Sequence, residues 1–138
     1  MNGKIIVAAA ASTVVTFLLG WLIFGVLLMN FYTSHSMHYD GLLKNPPIMW
    51  SIIAANLAWG LSSAYILHLA GIKSISKGFI TGFIVFGLYC AGRNGMDYAF
   101  MNMMGLKMLA LDTALSAFMG GVSGAVIGFI YSRNGGNN

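Results

Sequence analysis

Arg93, Asn94, Asp97 and Asp112 stand close together in a stretch of sequence that is otherwise almost entirely apolar. Two of the chain's three carboxylates are here, and Arg93 is the only basic residue far from the end of an apolar segment. Inside a bilayer such groups have two uses: they offset one another as a structural ion-pair network, or they line a path for an ion, a proton or a small polar solute. An ionisable side chain near the bilayer centre costs roughly 2.5–3.5 kcal/mol on insertion scales, so partners are expected. Arg93 and Asp97 are four residues apart and share a helical face, which lets them pair within one helix.

A second set of polar residues lies upstream. His35 and His38, three apart and followed by Asp40, are of the types that ligate zinc or related metals. The set lacks a fourth ligand, so the reading is a solvated or headgroup-facing loop, and His35, His38 and Asp40 remain only weak candidates for a metal site. Cys90 is the only cysteine and sits in an apolar run, which rules out an intrachain disulfide and suits a small packing residue. No nucleophile with its base, no metal quartet and no phosphate-binding glycine loop is legible. The expectation is therefore a non-enzymatic protein with no catalytic residues and no cofactor.

What must position these groups follows from composition. Of 138 residues, 58% are hydrophobic and 7% charged, against about 25% charged in a typical soluble domain. That leaves too little charge to solvate a globular surface of this size. The formal net charge of +4 is scattered, and no basic run suits nucleic acid. Scattered positive charge in a membrane chain reports topology and contact with anionic headgroups. The expected class is an all-α, polytopic transmembrane four-helix bundle, one domain over residues 1–138, with spans at about 5–30, 47–70, 77–102 and 106–131.

The first span exceeds a secretory signal core and has no cleavage pattern after it, so it is expected to be retained. It should tilt or project into water, because a helix over residues 5–32 would be about 42 Å long. Trp21, Phe31 and Tyr32 suit the headgroup belt at its far end. Residues 33–45 form the longest polar interval, read as a loop. In the second span Asn56 is expected to act as interhelical glue. The third span contains Arg93 and Asp97, and a turn near residues 103–105 leads to the fourth, where Asp112 is the only internal charge. From that turn, Arg93 lies about 15–18 Å back and Asp112 about 10–13 Å forward. Antiparallel neighbours therefore bring them to similar depth, and Arg93 is expected to face the interior and bridge to Asp112, Asp97 or both.

Small residues recur every fourth position: Ala8, Ser12, Thr16 and Gly20; Ala54, Ala58 and Ser62; Gly87, Ala91 and Gly95; and Gly120, Gly124 and Gly128. Such spacing lets helix backbones approach closely in lipid. Gly120, Gly124 and Gly128 form the strongest of these packing signals, open to use within the chain or between subunits. Counting Lys and Arg at the segment ends puts Lys4, Lys73, Lys77 and Arg133 on one side against Lys44 and Lys107 on the other. This favours cytoplasmic N- and C-termini.

The stretches GWLIFGVLLMNF (residues 20–31) and LKMLALDTALSAFMGGVSGAVIGF (residues 106–129), with a second segment rich in small residues between them, resemble an uncharacterised family of small bacterial four-helix integral membrane proteins (a domain of unknown function). The likeness covers most of the chain and implies four spans in a bacterial inner membrane. FGVLL stands where that family carries a polar-aromatic-proline pattern at the end of the first span. Small multidrug exporters carry a glutamate in the first span, and residues 5–28 here contain no carboxylate; the glycine- and threonine-rich motif of fluoride channels has no counterpart.

Two functions are weighed. The first is a non-catalytic structural or accessory membrane component in which Arg93, Asp97 and Asp112 form an ion-pair network with Asn94 and Asn56 nearby. The second is an oligomeric small-solute or ion transporter or channel that uses the same cluster. The partners implied are the lipid bilayer and either further copies of the chain or a larger membrane complex.

Overall fold

A computed structural model of the protein describes residues 3–41, 44 and 46–133, and the features below concern those residues. The fold is an all-α bundle. Helix α1 (Gly3–Gly20) continues through a π-helical stretch, Trp21–Leu27, and after a break at Leu28 the short helix α2 (Met29–His35) follows. Then come α3 (Met49–Leu69), α4 (Ile75–Phe100) and α5 (Leu106–Arg133). Four stretches are long and apolar enough to cross a membrane: Gly3–Leu27, Met49–Leu69, Ile75–Phe100 and Leu106–Arg133. These match the expected spans to within a few residues. The polar interval begins later than its composition suggests, because helix persists to His35. Residues 42, 43 and 45 of that interval lie outside the described residues.

The turns follow local chemistry. α3 ends in a Schellman motif: the Gly71 N–H bonds to His68 O at 3.0 Å and the Ile72 N–H to Leu67 O at 3.1 Å. This geometry places Gly71 at φ +66°, a conformation that only glycine adopts cheaply. Ile72 is thereby folded back into the core beside Leu67. Three residues on, the Ser74 side chain caps α4 by accepting from the Lys77 N–H at 3.3 Å.

α4 lies against α5 along its length, α1 packs on both α3 and α5, and contact between α3 and α4 is slight. The α4–α5 seam is made of backbone meeting backbone. A Cβ added at Gly124 would collide with the Gly78 carbonyl, and one at Gly120 would come within 2.7 Å of the Gly82 carbonyl. The Gly120-Gly124-Gly128 row is thus used within the chain. Its partners on α4 are Gly78 and Gly82, and the same buried face of α4 continues through Cys90 and Asn94 toward the start of α5. Gly87 does approach Ala117, but Gly95 faces open space and Ala91 is exposed, so the row expected at Gly87, Ala91 and Gly95 is not the seam. On α3 the expected row of Ala54, Ala58 and Ser62 faces outward; Asn56, Gly60, Ala64 and Leu67 face the bundle instead.

The core gathers at the end where α1 begins and α5 finishes. There Ile5, Ala8, Ala9, Ala64, Leu67, Ile72, Ile127 and Tyr131 pack together. The Tyr131 hydroxyl donates to Ala64 O at 2.9 Å, and the Ser12 and Ser123 hydroxyls share a hydrogen bond of 2.7 Å. Large apolar side chains such as Leu88, Leu69 and Trp50 point outward, the reverse of a water-soluble fold and the arrangement that hydrocarbon solvent permits.

Candidate functional site

Asp112 lies in the second turn of α5, on the side that meets α4 and α2. Its carboxylate is held by neutral donors from two other helices. Asn94 Nδ2 donates to Oδ2 at 2.9 Å, the Cys90 thiol approaches the same oxygen at 3.4 Å, and the Tyr32 hydroxyl donates to Oδ1 at 3.3 Å. Asn94 is buried, and its amide also lies 3.0 Å from Thr113 Oγ1 and 3.2 Å from Leu109 O. A buried amide with this many partners is fixed in orientation, and a carboxylate in low dielectric gains more from such donors than it would in water. Burial, with the Asp112 charge second, pushes the Tyr32 phenol above its ordinary range, so it remains a donor. The Tyr32 ring is steadied edge-on by Phe24 at 5.4 Å.

Arg93 does not join this network. It faces outward and pairs with Asp97, Nε to Oδ2 at 3.4 Å, with the two side chains 61% and 39% exposed. The expected i,i+4 pairing is present, whereas the expected interior position of Arg93 and its contact with Asp112 are not. The reason is azimuth: adjacent helical residues point about 100° apart, and the face of α4 that meets α5 runs through Cys90 and Asn94. Arg93 therefore falls on the flank. The depth arithmetic holds, since Asn94, the residue next to Arg93, reaches Asp112 at 2.9 Å.

Asn56 is buried, as a packing residue should be, but its amide donates to Ile52 O of its own helix at 2.8 Å. The link between helices is made by its backbone carbonyl, which accepts from Thr13 Oγ1 at 3.3 Å. His35, His38 and Asp40 are not brought together. α2 stops at His35 and Ser36 is extended, so the helical face that would align His35 with His38 does not exist. The His35 ring stacks on Phe31 at 4.2 Å, and His38 Nδ1 lies 3.3 Å from Ser36 O. Among the described residues no three His, Cys, Asp or Glu side chains converge.

Because α3 and α4 barely touch, a groove of about 200 Å³ is left between α4 on one side and the first span with Trp59 of α3 on the other, with α5 as its floor. Asp112, Ser116 and Ser123 form a polar line along that floor, and Thr16 joins it from α1. Phe24, Trp59, Phe86 and Tyr89 supply the apolar walls; Trp59 and Tyr89 are exposed at the rims, so the groove opens sideways toward lipid. Sequence reasoning missed Tyr32, Cys90 and Ser116. For Cys90 the signal available was the four-residue ladder from Gly78 and Gly82 through Cys90 to Asn94, which aims the thiol at α5.

No protein-family model, curated protein or solved structure matches the chain.

Proposed function

We infer that this protein is a non-catalytic structural or accessory component of a cell membrane, and that the Asp112 network ties its helices together. The observation that carries this reading is the satisfaction of Asp112 by Asn94, Cys90 and Tyr32, donors from α4 and α2. Each is neutral, so the network holds three elements in register without a mobile countercharge. The resemblance noted in the sequence suits a bacterial inner membrane. Lys4, Lys73, Lys77 and Arg133 at one end of the bundle, against Lys44 and Lys107 at the other, favour cytoplasmic termini. The sideways groove with its aromatic rims suits a bilayer component that meets lipid or neighbouring membrane segments along its flank.

A second reading, an oligomeric conductor of ions or small solutes, draws on the polar line from Asp112 through Ser116 to Ser123. Ion and proton flux into liposomes reconstituted with purified protein separates the two. A structural component gives flux equal to that of protein-free liposomes. Flux above that level, abolished by Asp112→Asn in protein that remains folded, supports conduction.

A further inference from the structure

Three of the chain's ten methionines fall within four positions, in the MNMM sequence of residues 101–104. The thioether is a soft, uncharged donor, and soft donors select monovalent copper over zinc, magnesium or alkali cations. The chain leaves α4 at Phe100 and enters α5 at Leu106, and in this short connection Met101, Met103 and Met104 all line one cavity of about 100 Å³. The connection is pinned from outside by the segment after α2. The Met37 N–H bonds to Met103 O at 3.1 Å, Ser36 and Met104 form an antiparallel bridge, and the Tyr39 hydroxyl donates to Asn102 O at 3.4 Å.

The same cavity is lined by Asp97, Asp112 and Arg93. Two carboxylates and one guanidinium leave its wall with a net charge of −1, which matches a single monovalent cation. Methionines that merely fill a core close up the space around them. Here they border a cavity and stand beside charged groups, and Met101 is 49% exposed.

We propose that this cavity binds a soft monovalent cation, Cu(I) or its analogue Ag(I), through the thioethers of Met101, Met103 and Met104, with the net negative wall balancing the ion. His35, His38 and the Cys90 thiol are not ligands. The inference does not rest on the structural role of the Asp112 network, which is tested by flux and stability and not by metal retention.

The test uses the full chain in detergent with Cys90→Ser, so that the thiol cannot compete for the metal. Ag(I) retained after gel filtration is counted, and Cu(I) affinity is measured anaerobically against a chromophoric chelator. The expected result is one ion per chain with sulfur-only coordination in X-ray absorption. Met103→Leu should weaken binding by about tenfold or more, and changing all three methionines to Leu should abolish it. Met-to-Leu changes conserve volume, so the unfolding midpoint should be retained; should the triple variant fail to fold, the single variants Met101→Leu and Met104→Leu carry the test. Binding should survive His35→Ala with His38→Ala. Failure of the Cys90→Ser chain to retain the ion, or undiminished binding in the folded methionine variants, overturns the proposal.

Discussion

Arg93 and Asn94 are neighbours in sequence with opposite fates, and the difference decides how this membrane protein handles its charges. Asn94 occupies the seam and orients on Asp112, while Arg93, one residue earlier, sits at the surface with Asp97. An exposed ion pair contributes only about 0–1 kcal/mol. Arg93→Ala should therefore lower the unfolding free energy in detergent by no more than about 1 kcal/mol, and the double change with Asp112→Asn should equal the sum of the single effects. A loss of about 3–5 kcal/mol in Arg93→Ala, the cost of stranding a buried partner, would restore the interior triad expected from the sequence. That expectation had the height right and the azimuth wrong. Counting residues from a turn gives depth at 1.5 Å per residue, but which of two adjacent residues points inward depends on the face the glycines occupy, and the row at Gly87, Ala91 and Gly95 points to a different face from the one used.

Element by element, the backbone seam between α4 and α5 is the main packing device. Gly124 and Gly78 approach so closely that an added methyl has no room. Gly124→Ala should push the helices apart and cost about 1–3 kcal/mol. Gly92→Ala, on the same pair of helices but with open space around the new methyl, should be neutral or stabilising by up to about 1 kcal/mol through helix propensity. Thermal unfolding of the two variants in one detergent makes the comparison, and equal losses would contradict a seam built on Gly124. The four spans were legible because apolar runs of this length have few other uses. The π-helical stretch Trp21–Leu27 was not legible. It swaps i,i−4 for i,i−5 backbone bonds, as between Leu28 N–H and Ile23 O at 2.8 Å, and hydrophobicity alone carries no mark of that exchange. On α1, Ala8 and Ser12 of the expected row are buried while Thr16 and Gly20 are half-buried, and on α5 the glycine row meets α4. The outward face of the row at Ala54, Ala58 and Ser62 was not legible, since small side chains facing lipid look the same in sequence as small side chains facing a helix.

For the molecule as a whole, four apolar helices place the chain in a bilayer as a multi-pass protein. The proposed orientation, with cytoplasmic termini, predicts that single cysteines introduced as Lys73→Cys and Arg133→Cys, each in a Cys90→Ser chain, react with an impermeant thiol reagent only from the cytoplasmic side. Labelling from outside would reverse the orientation. The bundle is packed tightly at one end by the cluster around Leu67 and Ile127, and fastened at the other by Asp112. The measurement that most directly tests this fastening is the unfolding free energy of Asn94→Leu, Asp112→Leu and the double variant in detergent. Each single change removes the 2.9 Å bond between the buried Asn94 amide and the half-buried Asp112 carboxylate and leaves the remaining group short of one partner, which should cost about 1–3 kcal/mol, whereas removing both leaves an apolar contact and should recover most of that loss. A double variant as destabilised as the two single losses added together would mean that Asn94 and Asp112 do not act as one tie, and would contradict the account.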